Sequence, residues 1–249
     1  MSDTPPPDLA AVRRDIDRVD HALLELIAER LALSADVRRA KQGAKLWRPS
    51  REDGHVSNLV QDARSSGTPP ALVSRIWAEL MSASISVQGN TRLHVALEGD
   101  VRANQALIRD RFGGSLPVLS YPTSSAALSA CGSDPEGIAV LPAPGGMRNW
   151  WTALARSGAM SHLKIVAALP RVDPGDWPQA VAVAEIDLDP QMGGRLLLAC
   201  APGEGPGGTV RAEGQTLRLI EVEVTDAGAA AQWVASGAAL GYLPPRLRA

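Results

Sequence analysis

Between Asp8 and Ala44 the chain contains no proline, and its first glycine is Gly43. Three prolines, Pro5–Pro7, precede Asp8, which is suited to cap a helix start, and Gly43 is suited to end one. The segment predicts one helix of about 34 residues, roughly three times the usual length. A second helix is predicted from Ser50, whose spacing to Asp53 resembles a capping box. It runs through Val56, Leu59, Val60 and Ala63 to Gly67. Thr68-Pro69-Pro70 opens a third, through Leu72, Ile76, Leu80 and Val87, with proline at its first positions. Three helices so unequal cannot bury the long one among themselves, and pairing of two long helices in a dimer is the natural solution.

After Gln88-Gly89-Asn90 the texture changes. Short β-rich runs at 94–97, 117–120, 138–141 and 164–168 alternate with helical stretches near 103–112, 124–131 and 148–157. Further strands are expected at 180–186, 195–201 and 217–224, then a helix near 226–236. The expected division is a helical domain over 1–90 and an α/β domain over 91–249.

Charge narrows the function classes. Residues 1–90 hold 12 Lys+Arg and 12 Asp+Glu, and the remainder 13 and 15. A nucleic-acid surface normally carries a basic excess, so a nucleic-acid partner is not expected. No apolar run approaches the ~20 residues of a membrane span, and the first ten residues lack a signal-peptide profile. Cys131 and Cys200 are too few for a disulfide framework and lack metal-ligand spacing, which suits a cytoplasmic protein. No metal or cofactor is expected.

A neutral sum still leaves charges on the wrong face. On a helical wheel at ~100° per residue, Val12, Ile16, Val19, Leu23, Leu26, Ile27, Leu31 and Val37 form one apolar arc. Arg14, Arg18, Glu25, Glu29, Asp36 and Arg39 lie opposite. Arg30 and Lys41, however, fall within the apolar arc, with Arg13, Asp20 and Arg38 at its edge. Eleven residues separate Arg30 from Lys41, so they project from one row roughly 16 Å apart. The third helix repeats the anomaly in neutral form, because Ser84 and Gln88, one turn apart, lie on its apolar side. Arg48, Arg51 and Glu52 cluster at the start of the second helix.

A single arginine on such a face is ordinarily explained by snorkelling or an ion pair. Several inward polar groups with cations in surplus point instead to a buried pocket for a small dianion, since unpaired buried cations cost several kcal/mol each. The set contains no nucleophile, metal cluster or His–acid pair. A site built from it works by positioning and electrostatics.

These residues carry a family resemblance. VRRDIDRVDHALLELIAERLALSADVRRAK, RPSRE and RIWAELMSASISVQ together resemble the AroQ-type, all-helical chorismate mutases over residues 9–90. The resemblance implies a three-helix domain in an intertwined homodimer. It also implies rearrangement of chorismate to prephenate by a pericyclic [3,3] shift without cofactor, on the route to phenylalanine and tyrosine. By resemblance, Arg30 holds one substrate carboxylate, and Arg13 from the partner chain reaches the other with Ser84 assisting. Lys41 and Gln88 donate to the ether oxygen, where negative charge develops. Arg51 lies beside the carboxylates and Glu52 accepts from the ring hydroxyl. One departure is visible: many relatives have an acid in the loop before the Arg-Glu pair, where this chain has Arg48.

Residues 93–200 resemble a worn, truncated prephenate dehydratase domain, which implies a periplasmic-binding-protein-like α/β fold. VALEGDVRANQALIRDRFG stands where that family has a Gly-Pro-Glu-Gly-Thr-Phe segment. Its Pro-X-Glu-Asn motif reads Pro142-Ala143-Pro144 here, and its Thr-Arg-Asp motif is missing. Dehydratase activity is therefore not expected. Residues 210–245 fit a degenerate ACT-like segment, for which packing is favoured over effector binding. Trp150, Trp151, Tyr121 and Phe112 are better read as core than as a ligand box. Two further readings stay open for the whole chain: a non-catalytic regulatory or partner-binding protein of the shikimate pathway, and an isochorismate pyruvate lyase on the same helices.

Overall fold

The structure, a computed structural model, describes residues 8–40, 47–172 and 175–248. It divides into two compact units, residues 1–44 and residues 45–249. The first contains one element, α1 (Leu9–Ala40), a helix of 32 residues. Asp8 begins it as expected: its Oδ1 accepts from the Ala10 amide at 3.0 Å. Gly43, the expected terminator, lies outside the described residues, as does Lys41. α1 exposes the apolar residues Ile16, Val19, Leu23 and Leu26.

In the second unit, α2 (Pro49–Ser66) and α3 (Pro70–Gln88) form a helical hairpin. Val56, Val60, Ala63 and Val73 are buried along their seam, with Trp77 and Met81 against them. The expected capping box is not what starts α2. Arg48 is the N-cap with no side-chain bond, and Pro49 takes the first turn, where its missing N–H costs nothing. Asp53 is turned to arginines from elsewhere in the unit. In α3 the buried row is Val73, Ser74, Ala78, Ser82 and Ser84. Leu72, Ile76 and Val87, expected on its inward side, are exposed. The reason is what α3 meets: α4 (Val101–Phe112) and the turn after it. Gly113 there has a left-handed φ of 63°, and a Cβ on it would stand 2.8 Å from the Ser82 Cβ. The Ser115 amide donates to Ser82 Oγ at 3.1 Å.

Residues beyond α3 build a nine-stranded sheet in the order β2-β1-β3-β5-β4-β9-β6-β8-β7. The strands are β1 (Arg92–Val95), β2 (Val118–Ser120), β3 (Gly137–Pro142), β4 (Lys164–Leu169) and β5 (Ala180–Ala184). They continue as β6 (Arg195–Cys200), β7 (Thr209–Glu213), β8 (Arg218–Glu223) and β9 (Ala239–Leu243). β1 is parallel to both β2 and β3, and β4 to β9, while the other neighbours are antiparallel. The two remaining helices are α5 (Ser124–Gly132) and α6 (Ala227–Ala235).

The strands are near-continuous apolar runs because both faces are covered. In β3, Ala139 and Leu141 face a core with α5, Trp151 and Leu154, whereas Ile138 and Val140 face one with Trp47, Ile108 and Phe112. Trp150, Trp151 and Phe112 are thus core, in two separate clusters, as their size favours. The helix expected at 148–157 is a single 3-10 turn, Trp150–Leu154. Both tryptophans are buried, and Trp150 Nε1 donates to the Pro142 carbonyl at 3.0 Å. Residues 210–245 contribute most of β7, and β8 and β9, to the one sheet, with β6 between β8 and β9, while α6 connects β8 to β9 in the chain. Among the described residues, no helix is long and apolar enough to cross a membrane.

Candidate active site

The residues marked by the helix wheel fall on three helices. Arg13 is exposed on α1, and Arg30, half-buried one turn before Ser34, accepts the Ser34 hydroxyl on its carbonyl at 2.9 Å. Lys41 lies outside the described residues. In the second unit Arg51 is exposed at the start of α2, beside Glu52. Ser84 is buried near the end of α3, its hydroxyl donating to the Leu80 carbonyl at 2.7 Å, and half-buried Gln88 closes the helix one turn later. α2 and α3 are joined by a short turn and pack together, so the start of α2 and the end of α3 lie at the same end of the hairpin. That end carries Arg51, Glu52, Ser84 and Gln88.

Glu52 is held by its own unit. Its Oε2 accepts from Trp47 Nε1 at 3.0 Å, and its Oε1 from Arg111 Nη1 at 2.9 Å. Arg171 Nη2 donates to Oε1 as well. Asp53, the next residue, takes the other prongs of both arginines: Arg111 Nη2 at 3.2 Å and Arg171 Nε at 3.2 Å. Two carboxylates from α2 therefore meet two guanidinium groups, one from the last turn of α4 and one following β4. The side chains of Arg111 and Arg171 are only 1% and 3% exposed. Such a four-charge cluster is tolerable in a core because it is neutral and the planar forks match carboxylates two bonds at a time.

Burial sets the electrostatics of the cluster. It raises the Asp53 carboxyl from 3.8 to about 6, opposed by the charge of Arg111 and reinforced by that of Glu52. The Arg111 pKa is raised as well: burial disfavours its charge, but Asp53 and Glu52 outweigh burial and hold the guanidinium charged.

Sequence reasoning marked Glu52 for its place in the Arg-Glu pair and passed over Asp53, Arg111 and Arg171. A wheel drawn on α4 would have found Arg111, which follows Leu107 and Ile108 at helical spacing, and those two pack into the core. Nothing local marks Arg171, since it comes to Glu52 from 119 residues away.

Residues 12–89 match the family described as Chorismate mutase type II. A curated relative, the T-protein of Enterobacter agglomerans, is 34% identical over 85 residues, which is 33% of this chain. The chain spans 23% of that relative's length. No solved structure gives a significant match. The family match ends at Gln88-Gly89, where α3 ends and the sheet domain begins.

Proposed function

We propose that the protein is a chorismate mutase that rearranges chorismate to prephenate in aromatic amino-acid biosynthesis, in the cytoplasm. The observation that carries this reading is the family match over residues 12–89, because every candidate site residue lies inside it. Arg13, Arg30, Lys41, Arg51, Glu52, Ser84 and Gln88 had been selected for being polar or charged on apolar faces, or by resemblance, from the chain alone. A pericyclic shift needs neither nucleophile nor proton transfer. It needs a compact substrate conformer and positive charge where the breaking C–O bond leaves negative charge. In this reading Arg13, Arg30 and Arg51, with Ser84, hold the two carboxylates. Lys41 and Gln88 donate to the ether oxygen, and Glu52 accepts from the ring hydroxyl.

The active form in this proposal is a homodimer in which two α1 helices pair and Arg13 enters the partner's site. Its support is the row Ile16, Val19, Leu23 and Leu26, all exposed on a 32-residue helix. Contiguous apolar surface of that length marks an interaction face. The sheet domain, read as a dehydratase-like remnant of periplasmic-binding-protein type, serves here without catalysis as the support on which α2 and α3 are packed.

One observation favours a second reading, a regulatory protein without turnover: both Glu52 oxygens are occupied by Arg111, Arg171 and Trp47. A single experiment separates the readings. Purified full-length protein is incubated with chorismate, and prephenate, phenylpyruvate and pyruvate are resolved as products. Prephenate alone is expected. Loss of chorismate to pyruvate would mean a lyase on the same helices, and no turnover would favour the regulatory reading.

A further inference from the structure

A cavity of about 210 Å³ lies between α2, the end of β4 and the chain after β9. Its lining includes Tyr242, Pro244 and Leu247 and the cations Arg171, Arg195 and Arg246.

Arg171 is paired with Glu52 and Asp53, whereas Arg195 and Arg246 share their acids with a third arginine, Arg211. Glu221, buried on β8, is shared by three arginines: Arg195 Nη1 at 3.2 Å, Arg246 Nη2 at 3.6 Å, and Arg211. The other acid in this group is Asp176, whose side chain is 78% exposed and which pairs with Arg211 and Arg246. Among the described residues, three guanidinium groups here pair with two carboxylates. Burial lowers the Arg195 pKa, and Arg246 and Arg211 add to that against the pull of Glu221. Guanidinium groups that share their carboxylates with a third arginine can still offer charged donors to a small anion.

α2 leaves room on its side. Gly54 lines the cavity in the helix interior, where glycine is about 1 kcal/mol worse than alanine. A Cβ built on it would meet nothing within 4 Å. No neighbour therefore requires a glycine there, and the space in front of it is open.

We propose that this cavity binds a small organic monocarboxylate, its carboxylate on the Arg195 and Arg246 side and its apolar part against Tyr242 and Leu247. A dry cavity of roughly 150 Å³ accepts a benzene ring, so the space here takes one ring and a carboxylate. The Asp53 carboxylate also lines the cavity, but its oxygens are engaged by Arg111 and Arg171. The site is independent of the mutase reading, because its test reads binding and not turnover.

Sodium benzoate is the probe, titrated calorimetrically into the full chain, with sodium chloride and sodium phosphate at matched ionic strength as comparisons. Two variants are titrated alongside after circular dichroism confirms their fold. One is Arg246→Gln; the other is Gly54→Leu, which fills the cavity and favours the helix. Saturable one-to-one binding of benzoate is expected, about tenfold weaker in Arg246→Gln for the loss of one charged hydrogen bond and abolished in Gly54→Leu. No saturable binding to the natural sequence overturns the proposal, and so does unchanged affinity in a folded variant. Displacement of benzoate by phosphate at equal concentration would overturn the carboxylate assignment.

Discussion

Arg111 Nη1, in the last turn of α4, stands 2.9 Å from Glu52 Oε1, in the first turn of α2. This pair joins a helix of the family-matched region to a helix of the sheet domain, 59 residues apart in the chain. With Arg171 and Asp53 it forms a neutral set inside the protein. The end of the family match at residue 89 and the packing boundary therefore do not coincide: α2 and α3 lie within the match and pack in the sheet's compact unit.

Removing Arg111 leaves two carboxylates buried beside one guanidinium. Breaking a buried ion pair from one side costs about 3–5 kcal/mol. The Arg111→Met variant is expected to lose that much stability, read as a lower urea midpoint with an unchanged slope. A midpoint equal to that of the natural sequence would mean that the cluster does not hold α2 in place.

Asp53 gives the cluster a pH signature. Its carboxyl is raised in the folded state from 3.8 to about 6, chiefly by burial. Between those values the native protein binds more protons than the unfolded chain. Its contribution to stability is thus fully present below 3.8 and is lost as the pH rises through about 6. The stability of the natural sequence relative to Asp53→Asn should fall across this interval, measured by urea unfolding at a series of pH values. A difference independent of pH would contradict the raised value.

For the proposed chemistry, Lys41 is the most informative position. A donor aimed at developing oxyanion charge is typically worth about 10²–10³-fold in turnover. Lys41→Ala should lose activity on that scale while sedimentation still reports the same assembly as the natural sequence. Unchanged turnover would remove Lys41 from the site.

Gln88 makes a qualitative test. A neutral amide donates to the ether oxygen at any pH, whereas a glutamate in its place donates only when protonated. Activity of Gln88→Glu is expected to rise as the pH falls, against a flatter profile for the natural sequence. A flat profile in the variant would exclude this contact.

The proposed dimer rests on the exposed row of α1. Fully burying a leucine is worth about 1.5–3 kcal/mol, and an aspartate in its place must be desolvated. Leu23→Asp should therefore shift sedimentation toward monomer and reduce chorismate turnover with it. A dimer that survives Leu23→Asp would place the interface elsewhere.

Much of the fold was legible because its signals are local. The proline-free run from Asp8 predicts α1, and Asp8 caps it. The apolar β-branched runs predict seven of the nine strands, β7 and β9 excepted, and the reading of Trp150, Trp151 and Phe112 as core follows from their size. Three expectations failed where partners from afar decided the matter. Asp53 is spent on arginines and not on a cap. α3 buries its Ser82 row because Gly113 lets the turn after α4 come close. The 148–157 segment shortens to one 3-10 turn around two buried tryptophans.

The sequence by itself determined the helical periodicity of α1, α2 and α3, and with it the expectation of polar side chains on apolar faces. From that alone came Arg30, Lys41, Ser84 and Gln88, and with them the expectation of a small anionic substrate. Only the tertiary structure decided what α2 and α3 rest on. Arg111 and Arg171 reach Glu52 and Asp53 from 58 to 119 residues away, and Arg195, Arg211 and Arg246 converge on Glu221. Charge balance is a property of neighbours in space, and a chain written as a line does not contain it.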